Sequence, residues 1–196
     1  LNDIDGIKRI RYLTSHPSDI NNELILEHKN NKSLMPFLHL PIQSGSDQIL
    51  KKMNRKHTKE DYLRIVNNIK KLVPKIAFSS DFIVGYPGET DSDFEETLDL
   101  VEKVGFASSY SFKFSARPGT PASIKENLVS ESTASLRLLK LQNLLNKQQK
   151  DFNTSFIDKT VDVLISSKGK KINQYVGRTP YLQPVHVFSK KNLIGH

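Results

Sequence analysis

Three short blocks hold the residues best suited to ligand chemistry in this chain: Gln43-Ser44-Gly45-Ser46, Gly85-Tyr86-Pro87-Gly88-Glu89 and Arg117-Pro118-Gly119-Thr120. Each follows a strand-like run. Glycine lets backbone come close to a ligand, and helices starting at Ser46 or Asp91 would offer unpaired N–H groups to a ribose or carboxylate. In parallel α/β folds, sites collect in the loops at the C-terminal ends of strands. The 196 residues include no cysteine, so disulfides, thiolate metal ligands and thiol redox chemistry are excluded within them.

The elements that would carry these blocks alternate. Residues 9–14, 37–43, 76–85 and 109–116 read as strands, separated by amphipathic helices. Thr58 and Asp61 form a capping box for a helix over 58–73, whose Tyr62, Ile65, Val66, Ile69, Leu72 and Val73 share a face. A second helix runs from Asp91, read as its N-cap, to Val104, with Phe94, Leu98 and Val101 inward and Gly105 as the stop. A shorter helix follows Ser18. A long connector helix over 130–156 would pack through Leu136, Leu139, Leu144, Leu145 and Phe152. Repeated β-α order makes the fold class α/β, with a parallel sheet or barrel. Beyond about residue 155 the period changes to strand-like alternation at Val161, Val163 and Ile165, with a turn at 169–171 and alternation again at Val185 and Val187.

Alternation also sorts the strand faces, since residues two apart point the same way. Phe78, Phe82 and Val84 oppose Ser79, Asp81 and Gly85; Leu38, Leu40 and Ile42 oppose His39 and Gln43; Ile10 and Tyr12 oppose Arg9 and Arg11. In the last strand, Tyr110, Phe112, Phe114 and Ala116 are assigned to the apolar face, and Ser109, Ser111, Lys113, Ser115 and Arg117 to the polar one. One apolar and one polar face per strand implies helices outside and a wet, ligand-holding lumen inside.

Several candidates have a structural reading beside the functional one. Asp81 is either a lumen ligand or half of an ion pair with Arg11 or Lys113; Arg117 either binds a carboxylate or caps strand-end carbonyls. His16 sits at a strand end without a recognisable partner, while His28, His57, His186 and His196 read as surface or packing residues. The net charge is +8, from 29 Lys and Arg against 21 Asp and Glu, which suits a polyanionic partner. From Asp151 to His196 seven bases stand against three acids. There, Lys168, Lys170, Lys171 and Arg178, with Tyr175 and Tyr181 nearby, suit phosphate contact and base stacking, or form a solvated basic face. No apolar run reaches the ~20 residues of a membrane span, and Leu1 to Gly6 lack the regions of a signal peptide, so a cytoplasmic protein is expected.

Leu38-His39-Leu40-Pro41-Ile42-Gln43-Ser44-Gly45-Ser46-Asp47, the block from Ser79 to Thr90 and the block from Ser115 to Ala122 together resemble the second half of the radical S-adenosylmethionine (SAM) methylthiotransferases. The first block and Met53-Asn54-Arg55-Lys56-His57-Thr58 look most like the members acting on isopentenyladenosine in tRNA. The resemblance implies the second half of a radical SAM partial (β/α) barrel with a connector helix in residues 1–154. An incomplete, truncated TRAM-like all-β RNA-binding module would follow in 155–196, from the pattern Val161 to Ile165, Tyr175 to Thr179 and Val185. It further implies S-adenosylmethionine and [4Fe-4S] clusters as cofactors, tRNA as partner, and addition of a methylthio group to C2 of N6-isopentenyladenosine at position 37.

By the same resemblance, Gln43 and Ser44 would contact the SAM ribose, and Ile83 and Gly85 would lie near its adenine; Asp81 and Arg117 join the candidate cofactor-binding set from the strand reading above. The common Gly-x-Ile-x-Gly-x-x-Glu pattern is departed from at two positions: Asp81 and Gly88 replace its glycine and glutamate, and Glu89 comes one residue late. The cluster cysteines of the family would lie before Leu1. The expectation is therefore a carboxy-terminal part that needs a missing amino-terminal half and that alone binds no cluster and transfers no methylthio group. Other readings are a noncatalytic tRNA-binding remnant, a relative acting on threonylcarbamoyladenosine tRNA or a ribosomal protein, or a barrel lyase with Lys113 in a Schiff base.

Overall fold

Three parallel strands form the centre of the first unit: β1 (Phe37–His39), β2 (Ala77–Val84) and β3 (Ser108–Lys113), in the spatial order β1-β2-β3. They come from a computed structural model, which describes residues 1, 4–14, 16–116, 119 and 127–196. Among the described residues the sheet is open and does not close into a barrel.

The helices are α1 (Asn22–Asn30), α2 (Asp47–Lys52), α3 (Lys59–Leu72), α4 (Asp91–Val104) and α5 (Glu131–Thr154). On the sheet's covered side, α1 touches α3, α3 touches α4 and α4 touches α5, a layer in chain order. The core lies beneath it, where Leu38, Leu40, Phe78, Phe82, Tyr62 and Leu100 are sealed from solvent. Each such side chain contributes about 1.5–3 kcal/mol by leaving water. Tyr62 keeps its hydroxyl satisfied by donating to the Leu40 carbonyl at 2.9 Å.

Helix boundaries follow local chemistry. Thr58 caps α3 and shares a reciprocal capping box with Asp61, as the sequence predicts. In α4 the N-cap is Thr90 rather than Asp91: Thr90 and Asp93 form a second capping box, which leaves Asp91 as the first helical residue. Gly105 ends α4 in the left-handed region, at φ 67°.

Four sequence expectations need correction. Residues 9–14 are not a strand; they hold the sheet by single bridges, Ile10 to Leu34 and Leu13 to His39. β1 is shorter than 37–43 because Pro41 has no N–H to extend the ladder, although Leu40 and Gln43 still donate to Ser79 and Asp81 carbonyls. On α5, Leu136 and Leu139 are exposed, and the packed face is Ala134, Arg137, Leu141 and Leu145. Finally, β3 is turned over relative to its expected faces. Its register sets Tyr110 beside Asp81 and Phe112 beside Ile83 on the open face, while Lys113 reaches α5 and pairs with Glu131. A lumen Schiff base at Lys113 is therefore excluded by its orientation.

A second, antiparallel sheet follows α5: β4 (Leu164–Lys168), β5 (Gln174–Arg178) and β6 (Pro184–Phe188), in that order. It packs back on the first unit. Phe152 and Phe156 meet Tyr181 with ring centroids at 5.4 Å and 5.1 Å. Arg9 donates to the carbonyls of Arg178 and Asp162, and Gln183 to Asn153.

Candidate functional site

The strand-end loops owe their shape to α4 and α5. Ser44 Oγ is fully buried and lies 3.3 Å from Thr97 Oγ1, and the Gly45 N–H donates to the same Thr97 oxygen at 2.9 Å. A Cβ on Gly45 would stand 2.5 Å from the Glu96 carbonyl oxygen, so only glycine lets α4 come this close. Ser46 donates to Asp93 at 2.5 Å. Burial pushes Asp93 up, but hydrogen bonds from Ser46 and Thr90 outweigh it and hold its carboxyl below the usual range. The Ser44 hydroxyl thus faces the helix layer and fixes the loop. Its neighbour Gln43 is half-buried and held at φ 79°, a left-handed conformation costly for a residue with a Cβ.

Gly85 is the corresponding point after β2. At φ 71° its N–H donates to Glu89 Oε2 at 2.7 Å, and a Cβ there would meet Ala134 of α5 at 2.8 Å. Glu89 is itself buried and accepts from Arg137 at 2.8 Å, while Arg137 also reaches Asp91 at 2.7 Å. Burial raises the Glu89 carboxyl above its ordinary range despite the Gly85 N–H and the Arg137 guanidinium. Ile83 is half-buried on the open face, its N–H donating to the Gln43 carbonyl at 2.9 Å. Gln43 and Ile83 therefore meet at the strand ends, while Gly85, two residues on, is turned to Glu89 and α5. Arg117 lies outside the described residues.

Lower on the same face is a cleft of about 1030 Å³ between the parallel sheet and the β module. Its floor is polar: His39 Nδ1 lies 2.8 Å from Ser79 Oγ, and His39 Nε2 lies 3.6 Å from Asp81 Oδ2. Tyr110 and Phe112 form one wall, 65% and 54% exposed, and Arg11 and Arg178 are also among the lining residues. Asp81 pairs with His39 rather than with Arg11 or Lys113. Of the residues singled out from the sequence as ligands, Asp81 and Arg178 line this cleft.

The four basic residues of the β module are divided. Lys168, Lys170 and Lys171 are exposed at the turn between β4 and β5. Arg178 is at the far end of β5, where it donates to the Leu182 carbonyl at 2.9 Å. Tyr175 is buried and unable to stack on a base, and Tyr181 is half-buried against Phe152 and Phe156.

Two histidine contacts escaped the sequence. His16 Nδ1 accepts from the Ser18 N–H, and its Nε2 lies 3.2 Å from His57 Nδ1. Burial first, then His16 and Arg55, push His57 down to about 4. His28 Nε2 lies 2.6 Å from the Tyr12 hydroxyl, and burial lowers its basicity. Spacing could not reveal either pair, because each joins distant segments.

A parallel α/β unit with ligand-shaped strand ends, an open polar face and a β module across its lower edge defines the class of site. The family model of the radical SAM superfamily matches residues 1–101, and the chain belongs to that superfamily. It is similar to the tRNA-2-methylthio-N(6)-dimethylallyladenosine synthases of Ehrlichia canis (strain Jake), at 57% identity over 185 residues, and of Wolbachia pipientis subsp. Culex pipiens (strain wPip), at 56% over 185 residues. Each match takes in 94% of this chain and 42% of the relative, so the chain spans about two-fifths of their length. Among solved structures, coproporphyrinogen III oxidase from Escherichia coli, described as a radical SAM enzyme, superposes with a TM-score of 0.54 at 20% identity, over 68% of this chain and 31% of that one; the likeness is one of fold.

The superfamily implies an iron–sulfur cluster, which these residues do not fit. There is no cysteine in the sequence, and no cluster of three metal-binding side chains among the described residues. S-adenosylmethionine fits better. Gln43 and Ile83, both only half-buried, put side chains at the strand ends where a nucleoside could rest, whereas Gly85 is buried and its missing Cβ makes room for Ala134 of α5. No helix among the described residues is long and apolar enough to cross a membrane.

Proposed function

We propose that this chain is the SAM-binding and tRNA-binding part of a methylthiotransferase that adds a methylthio group to C2 of N6-isopentenyladenosine at position 37 of tRNA. The observation that carries this reading is 55–57% identity, over 93–94% of the chain, to relatives named as tRNA-2-methylthio-N(6)-dimethylallyladenosine synthases. Gln43, Ile83 and Gly85 hold the SAM nucleoside at the strand ends, with Ser44 fixing the loop from behind. Residues 155–196 act as a TRAM-like RNA-binding module in which Lys168, Lys170 and Lys171 meet tRNA phosphates and Arg178 stands where the RNA reaches the cleft. The cluster is held by a cysteine-bearing segment outside these 196 residues, equivalent to the part of the relatives that the chain does not span. The enzyme works in the cytoplasm, where its tRNA is.

The test is to express the chain with and without the cysteine-bearing remainder of a relative in cells lacking their own enzyme, and to analyse tRNA nucleosides by mass spectrometry. The 2-methylthio nucleoside is expected only when both polypeptides are present. Its absence with both present and soluble, or its appearance with the chain alone, contradicts the proposal. Independently, tRNA affinity should fall with salt, with a slope of roughly 0.7–0.9 per phosphate contact, and less steeply after Lys170→Ala and Lys171→Ala.

A further inference from the structure

We infer that Asp81, Tyr110 and Phe112 are specificity-determining residues that select a purine carrying an apolar substituent on its exocyclic nitrogen. The inference rests on the function proposed above and deepens it by assigning the recognition of the alkyl group. The register between β2 and β3 places Asp81 beside Tyr110 and Ile83 beside Phe112, all on the open face. Consecutive rows of one face lie roughly 6.6 Å apart, two residues of parallel strand at about 3.3 Å each. One row therefore carries an acceptor and a stacking ring side by side, and the next, further along the strands, an apolar end.

Each element matches one part of such a ligand. Tyr110 and Phe112 are large aromatic side chains left 65% and 54% exposed, on the face opposite the sealed core. Exposed rings near cationic residues are a platform for an unstacked base, and Arg11 and Arg178 line the same cleft. The Asp81 carboxylate stands 3.6 Å from His39 Nε2, beyond hydrogen-bond length, and His39 is anchored on its other nitrogen by Ser79. A carboxylate accepts hydrogen bonds, and an N6-alkylated adenine keeps one exocyclic N–H to donate. With that N–H on Asp81 and the ring on Tyr110, the alkyl group lies toward Phe112, away from the polar floor of His39 and Ser79. Unmodified adenine can satisfy Asp81 but leaves Phe112 in water.

Two anticodon stem-loop RNAs, identical except for adenosine or N6-(dimethylallyl)adenosine at position 37, are titrated against the full chain by fluorescence anisotropy. The expected preference for the alkylated RNA is about tenfold, the scale of discrimination a small apolar group allows. Phe112→Ala should reduce it to within about twofold, weakening the alkylated RNA more than the unmodified one, and Phe112→Leu, which keeps an apolar contact, should restore most of it. Because Phe112 is exposed, both variants should keep the parent's melting temperature, checked by circular dichroism. Equal affinity of the unaltered chain for the two RNAs overturns the inference alone, as does a preference that survives Phe112→Ala. Failure to bind either RNA removes the proposed function, and the inference with it.

Discussion

The two faces of one parallel sheet do different work here. On the helix side, Leu38, Phe78 and Phe82 are sealed beneath a continuous layer; on the other, His39, Asp81, Tyr110 and Phe112 line an open cleft. The same strands supply both faces, residue by residue. Stability should therefore reside in the even-numbered residues of β1 and β2 and, at the strand starts, in Phe37 and Ala77, which pack with Ala107; recognition falls to the odd-numbered residues further along.

The largest effect tests that separation directly. Phe82→Ala leaves a cavity in a site with no solvent exposure, and should cost about 3–5 kcal/mol of unfolding free energy. Tyr110→Ala, on the neighbouring strand but facing the cleft, should cost no more than about 1 kcal/mol. Urea unfolding of the two variants decides the matter; comparable losses would mean that the cleft face is also a packed core.

Next comes the latch that ties the strand-end loop to α5. Removing Arg137 leaves Glu89 buried without its cation, beside the N–H of Gly85, and Arg137→Ala should cost about 3 kcal/mol. Glu89→Gln is milder because the amide keeps an acceptor for the Gly85 N–H. If Arg137→Ala unfolds at the same denaturant concentration as the parent, the loop is held by backbone contacts alone.

How much of this was legible depended on whether an element's partners lay nearby in sequence. The faces of β1 and β2 could be read because their apolar residues meet a helix layer that the pattern itself predicts. β3 could not: it is an edge strand whose rings are left in the cleft, while Ser109, Ser111 and Lys113 turn toward the polar flank of α5. The apolar-inward rule therefore inverted it. α5 misled for a related reason. Its leucines suggest one packed stripe, but the helix is oriented by Arg137, whose partners Glu89 and Asp91 lie in a distant loop. The site divided in the same way. Gln43 and Gly85 stand at the strand ends where the motif and the glycine put them, whereas the cleft wall depended on register across β2 and β3, which no spacing within one strand encodes.

The third effect depends on pH. His57 is neutral in the fold, held down to about 4 by burial and by His16 and Arg55, while in the unfolded chain it titrates near the ordinary value of 6.5. Between these values the unfolded state binds more protons, so stability falls as pH drops from about 6.5 to about 4. With the ring buried, the loss is on the order of 2–3 kcal/mol. His57→Gln should flatten this part of the profile, measured as melting temperature against pH; an unchanged slope would assign the pH dependence to other groups.

The smallest expected change has the opposite sign and sharpens the contrast between the faces. Gln43 holds a left-handed backbone at the end of β1, a conformation that costs a residue with a Cβ roughly 1–2 kcal/mol. Glycine would remove that cost but lose about 0.5–1 kcal/mol through the freedom of the unfolded chain. Gln43→Gly should therefore stabilise the fold by about 0.5 kcal/mol, raising the urea midpoint slightly with an unchanged slope. If the residue is kept for its side chain, as its place beside Ile83 and Gly85 suggests, the same substitution should weaken SAM binding by the complex with the cysteine-bearing polypeptide. A more stable variant with full SAM affinity would make Gln43 a strained turn and nothing more, and would remove it from the proposed nucleoside contacts.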